Sequence, residues 1–244
     1  GADLGSYKSW LKADETTYNN VHERYEKLWK QIAEEFKDYD QHLLFESYNE
    51  MLDIKNSWCF ASFAAANSYD ASIASSAYNA INNYAQTFVD VVRATGGNNA
   101  KRNLVVNTYG ACSGSGTWNS HLKDPLKEMK LPSDTAGEGH IIFQVHSYPT
   151  LSSLSAAKSE VNDMFASLKS YLQSKGAPVI IGMHDGIAES TATSQGYAVL
   201  TIGGTIFSNP VAADNTSHTG PFYTLYPYGN SWDEQTGVLM AWSW

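Results

Sequence analysis

The stretch Pro178-Val179-Ile180-Ile181-Gly182 is an uninterrupted apolar run, and four further runs of similar character occur along the chain. These other runs cover residues 42–46, 103–107, 140–146 and 236–244. A short, continuously apolar run predicts a strand that is covered on both faces. Because amphipathic helical segments separate most of these runs, we predict an α/β fold in which a parallel sheet carries helices on its faces. Functional groups in such folds lie beyond the carboxyl ends of the strands.

The helical segments have apolar residues at spacings of three and four. They cover residues 14–39, 76–94 and 155–174. Thr16 or Thr17 is a suitable N-cap for the first helix, Gly96 ends the second and Gly176 ends the third. The stretch 187–234 is rich in Gly, Ser, Thr, Asn and Pro, and its segment 197–202 is compatible with either a strand or a loop.

Length, composition and charge restrict the class of protein. The chain has 244 residues, of which 43% are hydrophobic and 17% charged, so residues 1–244 are expected to form one domain with an ample core. The net charge of -9 argues against a general nucleic-acid binder. No apolar run approaches the roughly 20 residues that cross a bilayer, and the first residues lack a signal sequence, so we expect any secretory leader to be already absent.

Cysteine and aromatic content give weaker indications. Cys59 and Cys112 are compatible with a disulfide or with two buried thiols. Without a cluster of Cys and His at ligand spacing, we expect no zinc site and no cofactor. Aromatic residues make up 13% of the chain, which slightly favours a carbohydrate ligand because aromatic rings stack on sugar rings.

Polar side chains of unusual variety follow the predicted strands. The first strand leads to Asn49 and Glu50, the third to His146 and Tyr148, and the last contains Trp242. Each of these residues taken alone fits a structural role, such as a solvated loop pair, a hydrogen-bonded core histidine or a core tryptophan. Their common position at strand carboxyl ends favours a site for a polar, ring-shaped substrate.

Four segments resemble glycoside hydrolase family 5, the cellulase and β-mannanase family. Leu44-Phe45-Glu46-Ser47-Tyr48-Asn49-Glu50 is similar to the strand-four motif of that family, and His146-Ser147-Tyr148 to its strand-six motif. Residues 178–182 resemble the approach to strand seven, and 237–244 resemble strand eight. The resemblance extends from about residue 14 to 182 and is thin from there to 237.

This resemblance implies a (β/α)₈ TIM-type barrel and retaining hydrolysis of a β-1,4-linked polysaccharide by a secreted endoglucanase-like enzyme. Glu50 would be the general acid and then the general base. Asn49 would bind the 2-hydroxyl of the sugar, His146 and Tyr148 would position the carboxylates, and Trp242 would floor the neighbouring subsite. The expected partner is a β-linked polysaccharide or oligosaccharide, without nucleic acid or membrane.

The chain departs from the family pattern at the nucleophile. The family has a glutamate after the strand-seven glycine, whereas Met183 follows Gly182 here. Asp185 would share a strand face with position 183 and is the candidate replacement; Glu189 is a poorer one. This departure leaves a second interpretation open, a catalytically impaired carbohydrate-binding derivative of the family. A third is a general α/β protein with chance motifs.

The chain also departs from the family at the front of the barrel. Strand four of the family corresponds to the region near residue 44, so strands one to three have no counterpart. Three explanations remain open: an N-terminally truncated chain, strands supplied by residues 187–234, or strands supplied by a partner chain.

Overall fold

A computed structural model describes residues 10–55, 70–114, 125–147, 154–184, 199–205, 221–225 and 238–242. Three helices and seven strands lie in these ranges. The helices are α1 (Glu15–Glu35), α2 (Ala71–Ala94) and α3 (Leu154–Tyr171). The strands are β1 (Phe45–Glu46), β2 (Leu104–Asn107), β3 (Ile141–Ser147), β4 (Val179–His184), β5 (Val199–Thr205), β6 (Pro221–Leu225) and β7 (Val238–Trp242).

The strands form one sheet in the order β1-β2-β3-β4-β7-β5-β6. The pairs β1–β2, β2–β3, β3–β4 and β4–β7 are all parallel, which confirms the parallel sheet predicted from the apolar runs. Parallel neighbours that follow one another through helical connections are the repeating unit of a (β/α) barrel. The fold is therefore a partial barrel of the TIM type.

The C-terminal part of the sheet differs from the prediction. The ambiguous segment 197–202 contains a strand, β5, which pairs parallel to the free side of β7. A further strand that the sequence did not predict, β6, pairs antiparallel to β5. Residues 187–234 thus contribute two strands, of which β5 is the neighbour of β7 and β6 the neighbour of β5, while β2 is the neighbour of β1 in the described part of the sheet.

Local capping chemistry sets the helix starts. The predicted caps Thr16 and Thr17 were wrong, because Asp14 is the N-cap of α1 and accepts hydrogen bonds from the backbone N–H and the hydroxyl of Thr17. The second helix begins five residues before the predicted start, because Asp70 caps it through the backbone N–H groups of Ser72 and Ile73. An aspartate accepts these bonds more strongly than a threonine because it is charged.

The two faces of the sheet have different surroundings. The main core lies on the face covered by the helices, where side chains such as Val106, Phe143 and Ile181 are fully buried with the apolar sides of the helices. On the opposite face, Val105, Ile180 and the partly buried Ile142 form a small separate cluster. In a barrel this second face is the interior, so the residues that follow this cluster along the strands approach the site.

Arg102 fixes the connection between α1 and β1. Arg102 is 1% exposed, and its guanidinium donates hydrogen bonds to four backbone carbonyls and to Asn99 Oδ1 at 2.7 Å. The carbonyls belong to Phe36, Tyr39, Asp40 and Leu43. The same group lies 4.8 Å from the ring centroid of Phe45 in β1. One buried cation therefore satisfies the carbonyls after α1 and orients the strand that leads to Glu50.

None of the helices in the described ranges is long and apolar enough to span a membrane.

Candidate active site

A layer of polar side chains follows the small apolar cluster on the inner face of the sheet. Asn107 and Gln144 lie two residues beyond Val105 and Ile142, so they occupy the same face. Asn107 Nδ2 donates to Glu46 Oε1 at 2.8 Å, and Gln144 Nε2 donates to the same oxygen at 2.7 Å. Gln144 Nε2 also lies 3.2 Å from Asn107 Oδ1. Three neighbouring strands are thus joined by one buried hydrogen-bond network.

Gly182 makes room for this network. A Cβ at Gly182 would lie 2.5 Å from Cδ and 2.6 Å from Oε1 of Gln144, closer than side-chain atoms pack. The amide of Gln144 therefore extends across the backbone of β4, which only a glycine at position 182 allows. The sequence shows this glycine as the end of an apolar run, but its purpose depends on a side chain from the neighbouring strand.

The imidazole of His146 connects the network to Glu50. Its Nε2 lies 3.4 Å from Gln144 Nε2, and its Nδ1 lies 2.5 Å from Glu50 Oε1. The His146 side chain is 1% exposed, whereas that of Glu50 is 20% exposed, so the carboxyl is the member of the pair that solvent reaches. The predicted proximity of His146 and Glu50 at the carboxyl ends of parallel strands is confirmed.

Glu46 is the anionic centre of the layer. Burial raises its pKa, against the lowering effect of the hydrogen bonds from Asn107 and Gln144. Its strand neighbours and the nearby His146 supply the polar contacts that a partly buried carboxylate requires. Glu46 therefore acts as the acceptor around which the amides of the layer are oriented.

Hydrogen bonds to the backbone hold the segment between β1 and Glu50. The carbonyl of Ser47 accepts from Tyr25 Oη at 3.0 Å and from Trp29 Nε1 at 3.2 Å, both on α1. Tyr48 Oη donates to the carbonyl of Asn107 at 3.0 Å, and Asn107 Nδ2 donates to the carbonyl of Tyr48. The backbone that carries Glu50 is thereby fixed to one helix and to the neighbouring strand.

The backbone of β4 brings position 183 beside His146. In the pairing of β3 with β4, Val145 is opposite Ile181, but His146 is opposite Met183, so the register shifts past Gly182. This irregularity is a β-bulge, which commonly re-aims residues next to active sites. The position at which the family resemblance expects the nucleophile is therefore the strand neighbour of the histidine that contacts Glu50.

The other predicted site residues are placed as follows. Asn49 is exposed directly before Glu50, and Trp242 is the last residue of β7. Tyr148, Asp185 and Glu189 lie outside the described residues, as does Cys59, whereas Cys112 is buried.

Burial raises the pKa of the Cys112 thiol to about 12. The described part of the chain holds no group of three or more His, Cys, Asp or Glu that suits a metal ion.

Sequence reasoning missed the functional layer itself. Glu46, Asn107 and Gln144 were treated as parts of apolar strands, although each is a polar residue that ends or interrupts an apolar run. A polar residue two positions beyond an apolar one on a predicted strand was the available signal, because both occupy one face.

A parallel sheet with helices on one face and a carboxyl–imidazole pair at its carboxyl edge defines the class of (β/α)-barrel enzymes. The sequence profile of the family Cellulase (glycosyl hydrolase family 5) matches residues 3–209. The chain therefore belongs to glycoside hydrolase family 5, as the four sequence motifs indicated.

Individual relatives agree with this assignment. Endoglucanase B of Neocallimastix patriciarum is 33% identical over 188 residues, which cover 72% of this chain and 35% of that protein. A broad-specificity endoglucanase of family 5 from an uncultured bacterium superimposes with a TM-score of 0.72 at 44% identity, covering 99% of this chain and 60% of its own.

A second similar structure contains a ligand. It is a mutant family 5 glycoside hydrolase of Prevotella bryantii in complex with a xyloglucan tetradecasaccharide, with a TM-score of 0.65 and 33% identity. The match covers 99% of this chain and 61% of the Prevotella chain. The chain spans about a third of the length of the curated endoglucanases it matches.

Proposed function

We propose that this chain acts on β-1,4-linked glucan as an endoglucanase-type glycoside hydrolase, with Glu50 as acid/base. The observation that supports the proposal best is the contact between Glu50 Oε1 and His146 Nδ1 at 2.5 Å, at the carboxyl edge of the sheet and beside position 183. A partly exposed carboxyl held by a buried imidazole is positioned to exchange a proton with a bound glycosidic oxygen.

The proposed reaction is retaining hydrolysis. Glu50 donates a proton to the oxygen of the leaving sugar while a carboxylate attacks the anomeric carbon from the opposite face. Glu50 then removes a proton from the water that hydrolyses the glycosyl-enzyme ester. Asn49 binds the 2-hydroxyl of the reacting sugar, and Tyr148 and Trp242 complete the subsite. His146 holds Glu50 in place throughout.

Position 183 determines which of two functions applies. Met183 occupies the strand position beside His146, and a thioether cannot form a glycosyl ester. Asp185, two residues further on, is the candidate nucleophile for an active enzyme. The register of Met183 favours, as a second candidate function, a carbohydrate-binding derivative that retains the cleft without efficient turnover.

We infer that the substrate is a β-glucan, either unbranched or branched. The support comes from the relatives named above, which are described as endoglucanases or contain a xyloglucan oligosaccharide.

Two measurements on one sample separate the candidate functions. Reducing ends are measured after incubation with carboxymethylcellulose, barley β-glucan and xyloglucan, and binding of the same polymers is measured by affinity electrophoresis. Hydrolysis that is lost in Glu50→Gln supports the enzyme. Binding without hydrolysis supports the binding derivative, and neither binding nor hydrolysis contradicts both.

We further propose that the protein acts outside the cell as one domain, because a glucan polymer of this kind is too large to be taken up intact. The single main core, to which all three helices and β1 to β4 contribute, supports one folding unit. Detection of the protein in cell-free medium, and a single cooperative unfolding transition, are the observations expected.

A further inference from the structure

We propose that Gln144 and Glu46 are positioning residues that fix the hydrogen of His146 on Nδ1, where it holds Glu50. The proposal deepens the function proposed above, since it rests on Glu50 as the acid/base. It concerns two side chains that do not contact the proposed substrate and act only through the imidazole.

Glu46 orients the side-chain amide of Gln144. Nε2 lies 2.7 Å from Glu46 Oε1, and an ionised carboxylate only accepts hydrogen bonds, so the NH₂ group must face Glu46. Asn107 Nδ2 donates to the same carboxylate oxygen at 2.8 Å, which keeps Glu46 oriented between the two amides. Glu46 therefore determines which end of the Gln144 amide faces the interior.

The oriented amide of Gln144 in turn determines the tautomer of His146. The same NH₂ group lies 3.4 Å from His146 Nε2, with its second hydrogen shared between that nitrogen and Asn107 Oδ1 at 3.2 Å. A hydrogen on Nε2 would face the amide hydrogens of Gln144, so Nε2 has to be the acceptor. The ring hydrogen consequently lies on Nδ1, the nitrogen that is 2.5 Å from Glu50 Oε1.

The tautomer of His146 determines which oxygen of Glu50 carries the transferable proton. A hydrogen on Nδ1 is donated to Glu50 Oε1, so this oxygen acts as an acceptor in both protonation states of the carboxyl. The proton that Glu50 transfers then resides on Oε2. The opposite tautomer would place a lone pair of Nδ1 against Oε1 and draw the acidic proton toward the ring.

Close packing and burial hold the Gln144 amide and the His146 ring in this arrangement. Gly182 leaves the space in which the Gln144 amide lies, and His146 is 1% exposed, so water does not compete for its ring nitrogens. A buried network with defined donors and acceptors favours one arrangement over its alternatives.

The test uses ¹⁵N chemical shifts of the histidine rings, which differ strongly between a protonated and an unprotonated ring nitrogen. His146 is assigned by its loss in His146→Gln, and His140 serves as an internal control. His140 directly precedes the first residue of β3 and contacts Asn103 Oδ1 through Nδ1 at 3.0 Å. We expect a protonated Nδ1 and an unprotonated Nε2 for His146 in the unaltered chain.

Two variants test the cause. Gln144→Met keeps the length of the side chain but removes the donor, and we expect the single Nδ1–H form to be replaced by a mixture of tautomers while the His140 signals stay constant. Glu46→Gln is nearly isosteric and removes the charge that orients the amide, so we expect the same loss of the single form. If Gln144→Met fails to fold, Glu46→Gln still decides.

A protonated Nε2 in the unaltered chain would overturn the proposal, as would an unchanged His146 tautomer in the folded variants. Because the readout needs no turnover, it is independent of the nucleophile and of hydrolysis. An inactive chain with the expected tautomers would contradict the proposed enzyme but not the role of these two residues.

Discussion

Replacing Met183 by glutamate is expected to create hydrolytic activity. The backbone places position 183 opposite His146, and neighbouring strands are about 4.8 Å apart. His146 Nδ1 is itself 2.5 Å from Glu50 Oε1, so position 183 lies on the strand next to the histidine that contacts Glu50. Retaining glycosidases place their two carboxyl groups roughly 5–5.5 Å apart, so the second carboxylate has to come from a position close to Glu50.

The expected gain follows from the chemistry of one positioned group. Glutamate at position 183 supplies a carboxylate that can form the glycosyl-enzyme ester, which methionine cannot. We expect Met183→Glu to increase hydrolysis by at least about 10²-fold over the unaltered chain, a lower bound taken from what one positioned acid or base contributes to a rate. The assay measures release of 2,4-dinitrophenol from an aryl β-cellobioside, together with reducing ends from soluble β-glucan. A burst of phenol would indicate a glycosyl-enzyme intermediate.

Met183→Gln is the matched control, because it has the size of glutamate without the charge. We expect this control to hydrolyse the substrates no faster than the unaltered chain. Equal, substantial activity in all three proteins would refute the reasoning and make Asp185 the first alternative nucleophile to test. Inactivity of all three would refute the view that position 183 limits turnover.

Three further predictions concern the acid/base, the fold and the polar layer. In the Met183→Glu background, Glu50→Gln should lower turnover on substrates with poor leaving groups by roughly 10²–10⁴-fold and leave the circular dichroism spectrum unchanged; an unaltered rate would contradict the role of Glu50. Arg102→Met should lower the free energy of unfolding in urea by about 3–5 kcal/mol, because it leaves buried carbonyls unpaired. The exposed control Lys101→Met should change it by less than about 0.5 kcal/mol. Equal urea midpoints for the two variants would contradict a stabilising role of the buried Arg102. Burial raises the pKa of Glu46 in the folded protein, so its contribution to stability decreases as the pH rises from 4.5, the ordinary pKa, through the raised pKa. Over that pH range, Glu46→Gln should become more stable relative to the unaltered chain. Parallel curves of stability against pH for the two proteins would contradict this.

The sequence by itself determined the helices and most strands of this protein, the parallel sheet and the family. These features depend on local spacing: apolar runs form strands, apolar residues three and four positions apart form helices, and short motifs retain their order along the chain. Its errors were local as well. Thr16 and Thr17 were predicted as caps because threonine, like aspartate, is a common N-cap residue. The structure shows that Asp14 holds the N-cap position.

Only the tertiary structure decided how the site is assembled. Glu46 meets Asn107 and Gln144 across sequence separations of 61 and 98 residues, and these contacts depend on which strands become neighbours in the sheet. The shift at Gly182 that brings position 183 opposite His146 depends on a side chain from the adjacent strand. The sequence therefore specified Glu50 and His146 as candidates, but hydrogen bonding between strands determines which atoms face each other.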